Sequence, residues 1–300
     1  MSAAKTTIGE SCGQGKSGEP MRRASRRVRR RDGRGFTLLE MMVSMGIFML
    51  ICGSAFTLLG VSQRRYQSES QVLNSFQEAR LGLDQMIRDI NDAGYPPPNQ
   101  FEFPPGTPGG PTYSQYADTP IAWSPNYASS PQGTCPVGVG CSTPGPWGLF
   151  LEVSPTPQPA PSLVNFIRYK IMDGTTTLGR GVFPKPTATV DPYTTYPDNM
   201  LVPFVQNVMN EGTPAQIAQI NAAYPNMFPG GNPVPMFTYT CDTPSGPQDC
   251  TTAGPINGIP MNIRSITITL IVETPTPDPQ TGRVRVVELT GRASRINSFP

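Results

Sequence analysis

Residues 36–61 form the most apolar stretch of the chain, and Glu40 is its only charged residue. In a helix these residues span roughly 39 Å, which exceeds the ~30 Å hydrocarbon core of a bilayer. A carboxylate inside such a span is costly, so Glu40 is a candidate functional residue. The pattern predicts a transmembrane helix over residues 36–61.

Beyond residue 61 the apolar residues keep a helical spacing, but they lie on only one face of the predicted helix. They are Val72, Phe76, Ala79, Leu83, Met86 and Ile90. This spacing predicts an amphipathic continuation over residues 62–95, whose apolar stripe packs on a β-sheet of the same chain. Gly94 and the prolines that follow Tyr95 end the pattern, so one helix is predicted from about Phe36 to Ala93.

Alternating apolar residues predict β-strands in the rest of the chain. The predicted strands are 147–153, 164–171, 175–183, 236–240, 266–272 and 283–290. Asp173-Gly174 predicts a hairpin turn between the second and third strands, and 214–223 is a candidate short helix. The last two strands are predicted to pair antiparallel with one face buried.

The predicted fold class is therefore α+β. A long N-terminal transmembrane and amphipathic helix packs on an antiparallel β-sheet head, and the head, residues 96–300, is rich in loops. The 36 prolines, 30 glycines and 15% charged residues agree with a loop-rich chain. Residues 96–146 are either a functional loop or an ordered surface insertion, and we expect their aromatic side chains to pack beneath loops. These aromatic residues are Phe101, Phe103, Tyr113, Tyr116, Trp123 and Tyr127.

Charge is distributed unevenly along the chain. Residues 1–35 carry a net charge of +7 and the whole chain carries +2, so the remainder carries −5. The basic run 22–34 is compatible with a nucleic-acid arm, but its place directly before an apolar span favours a positive-inside determinant on the cytoplasmic side. We therefore predict no nucleic-acid partner. Residues 10–17 resemble a phosphate-binding loop but have Glu10 in place of the first glycine and no preceding strand, which excludes that site.

The segment Gly35-Phe36-Thr37-Leu38-Leu39-Glu40, with its basic flank and apolar helix, resembles the processing site of type IV prepilins and type II secretion pseudopilins. The resemblance implies that residues 1–35 are a cytoplasmic leader removed by a prepilin peptidase, which cuts between Gly35 and Phe36. The same enzyme would methylate the new amine of Phe36. Glu40 would then pair with the amine of a neighbouring subunit during assembly. The start codon of the leader, Met1 or Met21, is left open.

Residues 87–95 resemble the helix end of minor pilins of the PilW type, with the related pseudopilin J as the nearest competitor. This implies a type IV pilin-like fold in a single-pass inner-membrane protein with a periplasmic head, which later enters a pilus or pseudopilus. Other pilins or pseudopilins would be its partners, and its role would be to prime or cap a fibre. The alternatives are a type II secretion pseudopilin and a membrane-anchored envelope binding protein or enzyme.

No enzymatic activity and no cofactor are expected. The chain has no histidine, which excludes catalysis by histidine-based triads and zinc sites with histidine ligands.

Six cysteines complete the candidate chemistry. Cys12 belongs to the leader, and Cys52 is expected to be a small packing residue of the apolar helix. The others are Cys135, Cys141, Cys241 and Cys250. Export favours disulfides among these four cysteines. Of the three possible connectivities, the local pairs Cys135/Cys141 and Cys241/Cys250 are the simplest. A metal site is the rival interpretation, but neither spacing is Cys-x-x-Cys, so no metal is expected.

Overall fold

A computed structural model of the chain describes residues 35–117, 120–121, 144–154, 163–185, 195–251, 263–278 and 281–294. The leader before Gly35, the cysteine pair Cys135/Cys141, and the aromatic residues Trp123 and Tyr127 lie outside these ranges. The chain divides into two compact units, residues 1–56 and 57–300, which are described separately.

Helix α1, Leu38–Asp92, is 55 residues long and contributes to both units. It begins two residues later than predicted because Thr37 is the capping residue before its first turn. In the first unit its side chains are exposed, apart from half-buried Cys52. Among the described residues, α1 is the one helix long and apolar enough to cross a membrane, with a mean hydropathy of 2.1 over its most apolar 18 residues.

The second unit contains two four-stranded antiparallel sheets. Sheet 1 consists, in spatial order, of β1 (Gly148–Val153), β2 (Asn165–Ile171), β3 (Leu178–Pro184) and β4 (Val202–Val205). Sheet 2 is built from β5 (Phe237–Thr243), β6 (Gly246–Asp249), β7 (Ile263–Glu273) and β8 (Val286–Ser294), in the order β6-β5-β7-β8. Helix α2, Pro214–Ala223, lies between β4 and β5 in sequence. A long N-terminal helix with antiparallel sheets confirms the predicted α+β class.

The C-terminal half of α1 packs against both sheets. Its predicted apolar stripe is confirmed for Ala79, Leu83, Met86 and Ile90, which are buried in the main core cluster with residues of β2, β7 and neighbouring strands. Two positions at the upstream end of the stripe, Val72 and Phe76, are only half-buried.

Glycine allows α1 to approach each sheet closely. A Cβ atom at Gly82 would overlap the side chain of Val205 in β4. A Cβ atom at Gly291 in β8 would lie 2.8 Å from Cδ1 of Ile87. Side chains at these two positions would therefore push the helix away from the sheets.

A buried carboxylate fastens α1 to sheet 1. Asp89 is 6% exposed and accepts hydrogen bonds from Tyr169 Oη at 2.5 Å, Arg180 Nη2 at 2.8 Å and Gln85 Nε2 at 2.8 Å. Burial, together with the negative charge of Asp89, raises the pKa of Tyr169 well above its ordinary value. The phenol therefore stays protonated and donates to Asp89 at all physiological pH values. The network fixes the position of the helix on β2 and β3.

The other face of sheet 1 is covered by residues 195–201, which the sequence analysis did not identify as a packing element. The ring of Tyr196 stacks on Phe183 with centroids 4.5 Å apart. Asp198 pairs with Arg168 and, at 2.5 Å, with Lys170. Partial burial raises the pKa of Asp198, but its hydrogen bond to Lys170 and the charge of Arg168 outweigh this effect and hold the pKa below its usual range.

Several predicted elements are confirmed with small shifts. The hairpin of β2 and β3 turns at Asp173-Gly174, where Gly174 has φ = 73°. Helix α2 covers the predicted residues and begins with a capping box between Thr213 and Gln216. Tyr116 is buried, as expected for aromatic residues beneath loops, whereas the side chain of Phe103 is 48% exposed.

Other elements differ from the prediction. Strands β4 and β6 were not predicted because each has four residues and contains a proline, so neither has an alternating pattern. The last strand begins at Val286 rather than 283, because Thr274 and Arg285 exchange hydrogen bonds that close the preceding turn. One face of β7 is buried as predicted, but Ile271 on the opposite, otherwise half-buried stretch is buried as well, because it packs in a second cluster with α2.

Cys241 and Cys250 form a disulfide that closes the β5–β6 hairpin. Their Cα atoms are 5.8 Å apart, and both residues are buried. This is the local pairing that the sequence favoured for these two cysteines. A ring of this size contributes about 2–3 kcal/mol by restricting the unfolded chain.

The Asp89 network generates a stability prediction. We expect Asp89→Asn to lower the free energy of unfolding by about 2 kcal/mol, because it removes charge-assisted hydrogen bonds from buried Tyr169 and Arg180. Asp84→Asn is the matched control, since Asp84 is exposed on the same helix. Urea unfolding followed by circular dichroism measures both variants. Equal midpoints for the two variants would show that the network does not stabilise the unit.

Candidate processing and assembly site

The described residues before α1 have no regular secondary structure and are open to solvent. Gly35, Phe36 and Thr37 have no helical structure, and the Phe36 side chain is 81% exposed. The peptide bond between Gly35 and Phe36 therefore lies in an accessible, non-helical segment. Such a segment can enter the cleft of a peptidase without unfolding of the helix behind it.

Thr37 and Glu40 form a capping box at the start of α1. Thr37 Oγ1 accepts from the backbone N–H of Glu40 at 3.2 Å, and the backbone N–H of Thr37 donates to Glu40 Oε2 at 3.0 Å. The Thr37 hydroxyl also donates to Oε2, at 3.1 Å. These bonds satisfy N–H groups that have no partner within the helix. This role of Glu40 was not predicted, although the spacing Thr-x-x-Glu is a known signal for a capping box.

The capping box engages one oxygen of the Glu40 carboxylate. Within the described residues, the carboxylate accepts hydrogen bonds from Thr37 alone, and these reach Oε2. A carboxylate has about four lone-pair positions, so it can accept from a further donor without losing its bonds to Thr37. In the uncut chain Phe36 N is an uncharged amide, and hydrolysis of the Gly35–Phe36 bond would convert it into an ammonium group. Cleavage would therefore create a cation near the start of a helix that carries this anion.

Gly35 has no evident role in the fold. Among the described residues, a Cβ atom at this position would meet nothing within 4 Å, and the φ of Gly35 lies outside the left-handed region. Glycine is usually kept where a side chain would clash or where φ is positive, and neither reason applies here. A requirement for glycine at this position would therefore come from an interaction partner outside the chain.

The first unit displays an extensive apolar surface on α1. Large apolar side chains such as Leu38, Leu50 and Phe56 are more than 70% exposed. A helix that is apolar on all sides requires a lipid environment or neighbouring helices. The free thiol of Cys52 lies half-buried in the same helix. The disulfide of Cys241 and Cys250 belongs to the second unit and takes no part in this site.

The comparison with known protein families gives a match in the N-terminal region. Residues 30–56 match the family model of the prokaryotic N-terminal methylation motif. No curated protein and no solved structure matches the chain significantly.

The chain thus carries a type IV prepilin-like methylation motif, which supports a type IV pilin-like or pseudopilin protein. The motif implies processing by a prepilin peptidase and assembly with other pilins. Together with the one long apolar helix, it is consistent with membrane anchoring.

The open surroundings of Gly35 generate a prediction about processing. We expect Gly35→Val to reduce leader removal by at least about tenfold, because a peptidase pocket shaped for glycine excludes a branched side chain. Gly46→Val is the matched control, since a Cβ atom at Gly46 also meets nothing within 4 Å. The ratio of uncut to cut chain on a denaturing gel, after co-expression with a prepilin peptidase, measures the effect. Equal cleavage of both variants would contradict recognition at Gly35.

Proposed function

We propose that this protein is a minor pilin of a type IV pilus, a structural subunit with no catalytic activity. A prepilin peptidase removes residues 1–35, and the mature subunit remains in the inner membrane with a periplasmic head until it enters the fibre. There it primes or caps assembly. The observation that carries this proposal is the methylation motif at residues 30–56, whose Gly35 has room for a side chain among the described residues.

In the proposed assembly step, Glu40 pairs with the methylated amine of Phe36 in a neighbouring subunit. Both groups lie at the start of an apolar helix, where an unpaired charge is costly. A partner of opposite sign removes most of that cost and sets the axial offset between subunits. The capping box supports this role because Thr37 already holds the Glu40 carboxylate in a defined orientation.

The preference for a pilus over a secretion apparatus rests on the helix end. Residues 87–95 resemble the helix end of PilW-type minor pilins. The sequence Ala93-Gly94-Tyr95 at this helix end favours a minor pilin over a pseudopilin. These residues have structural roles in the head. Gly94 has φ = 87°, its N–H donates to Glu152 O at 2.8 Å, and Tyr95 pairs with Val153 of β1. A pseudopilin of the J type remains the second candidate.

Variants of Glu40 separate its charge from its capping role. Glu40→Gln keeps an acceptor for the N–H of Thr37 but removes the charge, whereas Glu40→Ala removes both. If the charge drives assembly, both variants should be inserted in the membrane at normal levels but reach the fibre at least about tenfold less often, since each leaves the amine unpaired. Immunoblots of sheared surface fibres and of membranes give the two amounts.

Thr37→Ser is the control for the capping hydroxyl, since serine preserves it. We expect this variant to enter fibres normally. Normal incorporation of Glu40→Gln together with loss of Glu40→Ala would mean that Glu40 acts only as a cap. Normal incorporation of both variants would show that assembly does not need the acid at position 40. Absence of the wild-type chain from sheared fibres would instead favour a membrane-anchored envelope protein.

A further inference from the structure

Among the described residues, strand β8 is a sheet edge that no other segment covers. The two sheets have four edge strands, and three of them are blocked. Strand β1 is covered, because Glu152 N donates to Pro120 O and Glu152 O accepts from Gly94 N. Strands β4 and β6 are short and contain Pro203 and Pro247, which lack an N–H donor. Strand β8 has nine residues and no proline, and no other described segment pairs with its outer edge.

The hydrogen bonds of β7 and its register with β8 show which residues of β8 direct their N–H and C=O groups towards the open edge. Ile271 N donates to Asn210 Oδ1 and Thr269 N donates to Met236 O, so these two residues of β7 direct their backbone groups away from β8. Glu288 and Thr290 lie opposite them in the register. In an antiparallel pair such residues form non-hydrogen-bonded positions, where both partners point outward. By the same alternation Arg292 also directs its N–H and C=O to the open edge.

The exposed side chains of this edge are self-complementary. Glu288, Thr290 and Arg292 lie on the same face of β8, and all three are exposed. If a second β8 pairs antiparallel with Thr290 opposite Thr290, each Glu288 lies opposite an Arg292 of the other copy. Every outward-pointing residue then meets another outward-pointing residue, as a hydrogen-bonded ladder requires. A shift of the register by two residues, or a parallel arrangement, loses the charge pairs.

We propose that β8 is a homodimer interface, at which two copies of this chain join their second sheets across a two-fold axis through Thr290. Charged residues on an edge strand ordinarily oppose pairing between sheets. Here the order of the two charges makes this two-fold arrangement attractive, whereas a register shifted by two residues has no charge pair and an in-register parallel pair places like charges opposite each other. In the single chain the Arg292 guanidinium lies over β7, where Ser265 Oγ accepts from its Nε at 3.2 Å and its Nη2 at 2.9 Å, so the contact requires this side chain to turn towards the open edge.

This pairing does not depend on the proposed function, but it bears on it. A two-fold contact uses the same surface on both copies and closes on itself, so it does not extend into a fibre. In a pilin-like protein the dimer is therefore a state of the unassembled subunit. Pairing would protect the open edge from non-specific strand addition until assembly.

Charge reversal tests the interface on the full chain in detergent. Glu288→Arg and Arg292→Glu each replace two attractive pairs by two repulsive ones, so we expect each to weaken dimerisation by at least about tenfold. The double variant Glu288→Arg/Arg292→Glu restores the pairs with exchanged signs and should recover the dimer. Sedimentation velocity over a concentration series gives the dissociation constants, and recovery in the double variant shows that the single variants were folded.

Cysteine cross-linking tests the register. In a background with Cys12, Cys52, Cys135 and Cys141 replaced by serine, Thr290→Cys should link two chains through a short bis-maleimide, because the two copies of residue 290 face each other. Ser294→Cys is the control, since it is exposed on the same face but would lie roughly 25 Å from its own copy. A monomer at all concentrations, a dimer unaffected by the single reversals, or equal cross-linking at 290 and 294 would each overturn the proposal.

Discussion

A charged group in an apolar helix is stable only if it is paired, and this constraint organises the N-terminal region. Glu40 is the only charge between residues 36 and 61. In the uncut chain its carboxylate caps the helix through Thr37 and so has a partner without any second molecule. Cleavage after Gly35 would add a cation at Phe36. Its proposed counter-charge is the Glu40 carboxylate of a neighbouring subunit. An apolar helix that gains an amine at its start and carries an acid one turn further on is suited to stack with its neighbours at a fixed offset.

The same helix organises the second unit by different means. Its downstream half is amphipathic, and close contacts at Gly82 and Gly291 bring it against the two sheets. Asp89 then fixes its position through Tyr169 and Arg180. A single continuous element thus carries an exposed apolar surface in one unit and the main core of the other. In this account α1 links processing and assembly to the folding of the head.

Features that depend on local sequence could be predicted. The long helix, the β2–β3 hairpin and α2 have strong periodicity or turn residues, and all three are present. Features that depend on pairing between distant residues could not. Strands β4 and β6 form by hydrogen bonding to longer neighbouring strands. Pro203 and Pro247 interrupt the alternating pattern by which a strand is predicted from sequence. The Asp89 network joins residues that are 80 and 91 positions apart, which no spacing rule reveals. The capping role of Glu40 is local and its spacing from Thr37 signals it, but it was not predicted, because an isolated acid in an apolar helix also indicates intermolecular pairing.

The account depends most on the creation of a new N-terminus at Phe36. The direct measurement is the mass of the N-terminal peptide of the wild-type chain, purified from membranes after co-expression with a prepilin peptidase. A peptide that begins at Phe36 and carries one methyl group is the predicted result, and it would make the amine available for pairing with Glu40. A peptide that begins at Met1 or Met21 would contradict the account, because the leader would remain attached and the chain would be an ordinary membrane anchor.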